Sequence, residues 1–235
     1  MAPKVLLFDI DATLLLSGNA GGRALNRVFL ELYGVPGAFD FVRPHGKTDP
    51  MIFREMLAAW TPDLPPDPEL ARIGERYLDY LEEELEASPG YRIMPGVKPL
   101  LDALSQMPTL ALGLATGNLE RGAWLKLRRG GLDGYFRFGG FGSDAEDRAE
   151  LVRVAVERAE NHLGRTVVPA EDVYVIGDTP RDIRCGREVG TRTVAVATGT
   201  SGVEELALHG PDHVFRDFSD VEGAVSFFRS LDGSS

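Results

Sequence analysis

The sequence predicts an α/β protein: a doubly wound, Rossmann-like parallel-sheet core with an all-helical cap inserted near its start. Three observations carry this. Short apolar runs at Lys4–Asp9, Leu110–Ala115 and Val173–Ile176 alternate with amphipathic helical stretches, the rhythm of a parallel sheet covered by helices. Between about residues 17 and 92 that alternation stops and only helical spacing remains. Three of the apolar runs end in polar, chemically able residues, FDID, LATGN and VIGDTPRD, and ligands of such sheets bind beyond the C-terminal strand ends.

The elements follow in order. Lys4 to Asp9 is continuous, short and rich in Val, Leu and Phe, as a fully buried strand is. Helical patterns then cover about 23–33, 49–60 and 68–87, the last with Leu70, Ile73, Tyr77, Leu81 and Leu85 on one face. The proline-rich TPDLPPDPEL between the last two reads as a loop. After SPGYRIMPG, helices are expected at 97–106, 119–129, 147–162 and 181–189, and strands at 110–115, 136–141, 173–176, 193–197 and 213–215. The predicted division is therefore a core of residues 1–16 and 93–235 and a helical cap of 17–92, joined by hinge-like linkers near Leu16–Gly18 and Gly90–Pro95.

Composition bounds the function. The chain has 235 residues, 43% hydrophobic and 26% charged, with a formal net charge of −11. No basic face for nucleic acid is expected. A single cysteine, Cys185, excludes an internal disulfide and a multi-cysteine zinc site and fits a cytoplasmic setting. Asp9 and Asp11 break the first apolar run too early for a signal peptide. No segment reaches the roughly 18 apolar residues of a membrane span. A monomer or a homodimer is expected.

The chemistry starts at Asp9 and Asp11. Two residues apart on an extended strand end, they face the same way, and Asp178 approaches from a neighbouring strand end. Three crowded carboxylates repel unless a cation sits among them. An all-oxygen set without His or Cys favours Mg²⁺, so Asp9, Asp11 and Asp178 are the candidate metal residues. A carboxylate can attack phosphorus covalently while a second acid protonates the leaving oxygen and then activates water. Asp9, nearest the strand, is read as nucleophile and Asp11 as acid/base. Thr116 and the N–H groups of Gly117 and Asn118, just before a helix, suit a phosphate. Arg148 is the candidate fixed cation, with Lys126 or Lys98 as the fallback, and Asp182 would hold the loop that presents Asp178. Arg23, His45 and Lys47 are candidate substrate contacts from the cap.

Taken together and in order, FDIDATL, LATGN, the Arg148 segment and VIGDTPRD resemble the four motifs of the haloacid dehalogenase-like hydrolase superfamily. Within it the chain looks most like the phosphoglycolate-phosphatase branch with a helical cap, in which GKTDPMIFREML falls at a similar cap stretch. The resemblance implies a Mg²⁺-dependent phosphatase acting on a small phosphorylated metabolite, with Asp9 as nucleophile, Asp11 as acid/base, Thr116 on the phosphate and Asp178 on the metal. It also implies that the residue at Asp11 lends the metal its backbone carbonyl. Two positions depart from the pattern: Ala12 stands where glycine is usual, and Arg148 where lysine is. Asp11 argues against a dehalogenase and a phosphonate hydrolase, which lack an acid there. A phosphosugar mutase resembling β-phosphoglucomutase keeps both acids and is the alternative enzyme. A non-catalytic phosphate-binding regulator is the alternative of another class. A P-loop enzyme is disfavoured by the lack of its motif.

Overall fold

The computed structural model describes residues 3–63, 66–167 and 169–231. Six parallel strands form the main sheet: β1 (Lys4–Phe8), β4 (Leu110–Thr116), β5 (Gly139–Phe141), β6 (Val173–Gly177), β7 (Arg192–Val196) and β8 (His213–Phe215). Their order is β5-β4-β1-β6-β7-β8. The chain fills one side of β1 before returning to fill the other, so the strand order reverses beside β1. Crevices open at such a reversal, and the ends of β1, β4 and β6 are neighbours there.

β1 shows why the sheet is covered on both faces. Leu6 and Phe8 join one apolar cluster and Val5 and Leu7 the other, as the two-residue period of a strand requires. On the first face lie α4 (Val97–Leu104), α5 (Glu120–Arg129) and α10 (Val221–Ser230); α6 (Arg148–Leu163) and α8 (Pro180–Val189) cover the second. Phe8 is fully buried and touches Phe136 edge-on with centroids 6.1 Å apart. Truncating such a side chain to alanine costs about 3–5 kcal/mol.

Between β2 (Leu15–Ser17) and β3 (Tyr91–Ile93) the chain forms three helices, α1 (Ala20–Tyr33), α2 (Asp49–Trp60) and α3 (Pro66–Glu86). They pack around a separate cluster that includes Phe29, Phe53, Tyr77 and Leu81.

Several expectations shift. The hinge-like linkers are β2 and β3, an antiparallel pair in register Leu15↔Ile93 and Ser17↔Tyr91; three residues per strand are too few to show a period. The proline loop is shorter than read, because α3 begins at Pro66; proline is well suited to a helix's first position. Residues 64 and 65 of that stretch lie outside the described residues. The strand expected from 136 begins only at Gly139, after a 3₁₀ turn at Asp133–Tyr135. The helices α7 (Pro169–Asp172), α9 (Val203–Leu208) and α10 were not anticipated.

Candidate active site

The strand ends do converge. Asp9 follows β1 and donates its backbone N–H to the Ile176 carbonyl of β6 at 2.8 Å. Asp178 follows β6, and Asp182 sits in the first turn of α8. One carboxylate oxygen from each of Asp9, Asp178 and Asp182 lies within 4.8 Å of the others, and all three residues are buried. Asp178 Oδ1 accepts the Thr13 hydroxyl at 3.1 Å. Asp182 Oδ2 accepts from the Thr179 N–H at 3.0 Å and its hydroxyl at 2.6 Å.

Arg148 opens α6 and enters this cluster. Its Nη2 donates to Asp182 Oδ1 and lies 3.6 Å from Asp9 Oδ1. Its buried Nε has no hydrogen-bond partner. One guanidinium thus lies against two of the three buried carboxylates and leaves the cluster with an excess of negative charge. Burial raises the carboxyl of Asp9 well above the usual range; Arg148 opposes this, and Asp182 and Asp11 add to it. Burial, then Asp182 and Asp9, raise Asp178 in the same way. Burying unpaired charge is costly, so this excess of hard oxygen donors fits a divalent cation such as Mg²⁺.

Asp11 occupies a different environment. Its carboxylate is not part of the three-acid cluster. Asp11 Oδ2 accepts from Lys126 Nζ at 2.6 Å and from Asn118 Nδ2 at 2.7 Å. Its side chain is 42% exposed where that of Asp9 is 10% exposed. Asn118 Nδ2 also donates to Thr116 Oγ1 at 2.8 Å, and Lys126 donates to Asn118 Oδ1. Thr116, Asn118, Lys126 and Asp11 thus form one connected network. Lys98 lies elsewhere, on Asp102 at the surface.

The helical insert is closed onto this site through GKTD. Thr48 caps α2, and its hydroxyl donates to the Glu146 carbonyl at 3.1 Å. Asp49 grips the loop after β4 at two points: its N–H donates to the Gly117 carbonyl at 2.7 Å, and its Oδ2 accepts the Leu119 N–H at 2.8 Å. Gly117 permits the approach, since a Cβ there would lie 2.5 Å from the Lys47 carbonyl oxygen. Burial pushes the Asp49 carboxyl up to about 6, against the pull of Lys126 and the Leu119 N–H. A cavity of about 190 Å³ remains under the insert, bordered by both sets of residues.

Most of the expected site residues border that cavity: Asp9, Asp11, Thr116, Gly117, Asn118, Arg148 and Asp178 from the core, and His45 and Lys47 from the insert. Asp182 does not border the cavity, yet a carboxylate oxygen of it lies within 4.8 Å of one from each of Asp9 and Asp178. Arg23 is turned elsewhere, to Glu84 at 2.7 Å and the Gly18 carbonyl at 2.6 Å, because Glu83 and Glu84 of α3 face the arginines of α1. Lys47 pairs with Glu55. The Asn118 N–H points to Thr116 Oγ1 at 3.4 Å.

Two residues had no place of their own in the sequence reading. Lys126 entered only as a stand-in for Arg148, and Asp49 only as part of a motif. The signal for Lys126 was available: it shares the buried face of α5 with Gly122, Ala123 and Leu127, where an unpaired lysine is not tolerated.

Residues 6–196 match the haloacid dehalogenase-like hydrolase family. The chain belongs to that family. As a haloacid dehalogenase-like hydrolase it is an enzyme, and its named relatives are phosphatases. It is 29% identical over 152 residues to a phosphoglycolate phosphatase of Synechococcus elongatus, covering 64% of this chain and 68% of the relative. It is 23% identical over 230 residues to the pyrophosphatase PpaX of Bacillus mycoides, covering 94% and 96%. Its fold matches that of CbbY from Rhodobacter sphaeroides, solved in complex with phosphate, with a TM-score of 0.73 at 20% identity, covering 95% of this chain and 99% of that one. Among the described residues no helix is long and apolar enough to cross a membrane.

Proposed function

We propose that this hydrolase is a Mg²⁺-dependent phosphatase that cleaves a small phosphomonoester through an aspartyl-phosphate on Asp9. The observation that carries the reading is the contrast between the two early aspartates. Asp9 is buried against Arg148 in a cluster with excess negative charge; Asp11 is half-exposed and held by Lys126 and Asn118. Two carboxylates in divergent environments can divide nucleophile from acid/base.

In this reading an Asp9 oxygen forms the new bond to phosphorus as the ester P–O bond breaks, and Asp11 gives its proton to the leaving oxygen. Water then attacks phosphorus while Asp11 takes back a proton. Inorganic phosphate leaves and the Asp9 carboxylate is restored. Thr116 and Arg148 hold the phosphoryl oxygens. Asp9 and Asp178, with the Asp11 carbonyl, would hold Mg²⁺, which supplies charge neutralisation between carboxylate and phosphate. Asp182 orients Arg148 and the turn that carries Asp178. Residues 17–92 act as a cap: GKTD closes the cavity, excludes bulk water and limits what enters. The enzyme is cytoplasmic in this reading, and its substrate is a small soluble metabolite.

The test is a panel of phosphate esters assayed with and without Mg²⁺, beside Asp9→Asn. Phosphate release that needs the metal and is lost in Asp9→Asn is expected. Hydrolysis that survives the substitution or ignores chelation refutes the mechanism, and isomerisation of a sugar phosphate with little free phosphate identifies a mutase instead.

A further inference from the structure

Outside the catalytic cavity, α8 presents Arg181, Arg184 and Arg187 at three-residue steps, which place them along one side of the helix. They line a groove of about 750 Å³. Its one bordering acid, Glu188, faces Arg153 instead, with Nη2 3.8 Å away. Among the described residues none of the three arginines forms an ion pair. Like charges one helical turn apart repel; Arg187, in the last turn, donates to the His209 carbonyl at 3.0 Å, which leaves Arg181 and Arg184, among the described residues, without an acidic partner or a stabilising place in the helix. On a chain of net charge −11 it is a local reversal of sign, and such reversals concentrate anions.

The groove is not remote from the chemistry. His45 and Thr179 border both it and the catalytic cavity. Between them Gly46 lets the Arg181 stem lie close: a Cβ at Gly46 would stand 2.7 Å from Arg181 Cδ and 3.1 Å from Thr179 Oγ1. Thr200 and Ser201 also line the groove, and hydroxyls can donate to oxyanions. Planar guanidinium groups bind phosphate and carboxylate through paired donors.

We propose that this groove receives a second anionic group of the substrate, a phosphate or carboxylate several bonds away from the phosphoryl group held at Asp9. The inference rests on the phosphatase reading and extends it: the substrate is a phosphomonoester with a distal anion, and Arg181 and Arg184 select it. A nucleic acid is disfavoured by the net charge of −11 on the chain as a whole.

The test uses the full chain carrying Asp9→Asn in Mg²⁺, which can hold ligand without turnover, and calorimetry with hexyl phosphate and hexanediol bisphosphate. The bisphosphate should bind about tenfold tighter or more at low salt, an advantage that shrinks as salt is raised. Arg181→Ala/Arg184→Ala should bring the two affinities to within about twofold. Arg184→Ala, an exposed position, repeats the test if the double variant folds poorly. Equal affinities in the parent, or a preference that survives both variants, overturn the proposal. So does inorganic phosphate that replaces the tethered group fully, since the groove would then serve a separate anion. Tight bisphosphate binding by a wild-type chain that hydrolyses no ester refutes the phosphatase reading alone; hydrolysis without the preference refutes the groove alone.

Discussion

Lys126 Nζ lies 2.6 Å from Asp11 Oδ2, and the lysine side chain is only 6% exposed. A buried ammonium on a half-exposed carboxylate fixes where that carboxylate points, and Asn118 fixes it from the other side. Lys126→Met should therefore lower kcat by about tenfold to a hundredfold, part of the two to four decades that positioned acid/base groups supply. KM should change much less, and Lys126→Arg should recover part of the loss. A steady-state assay with an aryl phosphate reads both. A variant that loses stability but keeps kcat would show that Lys126 serves only the fold.

The Asp49 latch predicts a pH effect on stability. Burial raises this carboxyl from the ordinary 3.8 to about 6, so the folded protein holds the proton more tightly than the unfolded chain. Its contribution is present below the ordinary value and is lost as pH rises through about 6. Asp49→Asn keeps an acceptor for the Leu119 N–H and does not ionise. The stability difference between Asp49→Asn and wild type should grow in favour of the variant by roughly 1–3 kcal/mol between pH 4 and 7. Thermal melts at a series of pH values check this, and a flat difference contradicts it.

The core of the fold was legible because each strand is a short apolar run ended by a polar motif; KVLLF, LALGLAT and VYVIG needed no tertiary information. Asp9, Asp178 and Thr116 could be grouped because strand ends at a topological reversal must be neighbours, and Arg148 was chosen as the cation at the start of a helix. The partner of Asp11 could not be read, because Lys126 reaches it across 115 residues from another helix. The short pair β2 and β3 was hidden for a similar reason: their pairing depends on the ends of the insert returning to one place. The groove on α8 was hidden because a row of arginines looks the same in sequence whether or not acids face it.

Ala12 carries backbone strain, with φ at 63° in the left-handed region that favours glycine. It is held there by its own N–H to the Leu15 carbonyl at 2.8 Å and by the Thr198 hydroxyl on its carbonyl at 2.6 Å. Left-handed geometry costs a non-glycine residue about 1–2 kcal/mol, partly offset by the greater freedom of glycine in the unfolded chain. Ala12→Gly should stabilise by about 0.5–1 kcal/mol in urea unfolding. A clear loss of stability would mean that the alanine methyl contributes packing worth more than the strain.

The carboxylate cluster predicts unequal effects of metal on two proteins. Mg²⁺ at a hundred times its dissociation constant should stabilise wild type by about 2.7 kcal/mol, and chelation should remove this. Asp178→Asn should be more stable than wild type in chelator at neutral pH, because the raised carboxyl of Asp178 loses its favourable, protonated state as pH rises. It should gain little from Mg²⁺. Equal metal stabilisation of the two would place the cation elsewhere.

The proposed covalent step on Asp9 can be tested by reduction. An acyl phosphate, unlike a free carboxylate, is reduced by borohydride to the alcohol, which turns aspartate into homoserine. Wild type quenched during turnover of a phosphate ester with Mg²⁺, reduced and digested, should carry homoserine at position 9, and the same chain without substrate should not. Continued turnover with homoserine only at another aspartate, or at none, contradicts the assignment of Asp9 as the group that accepts phosphorus.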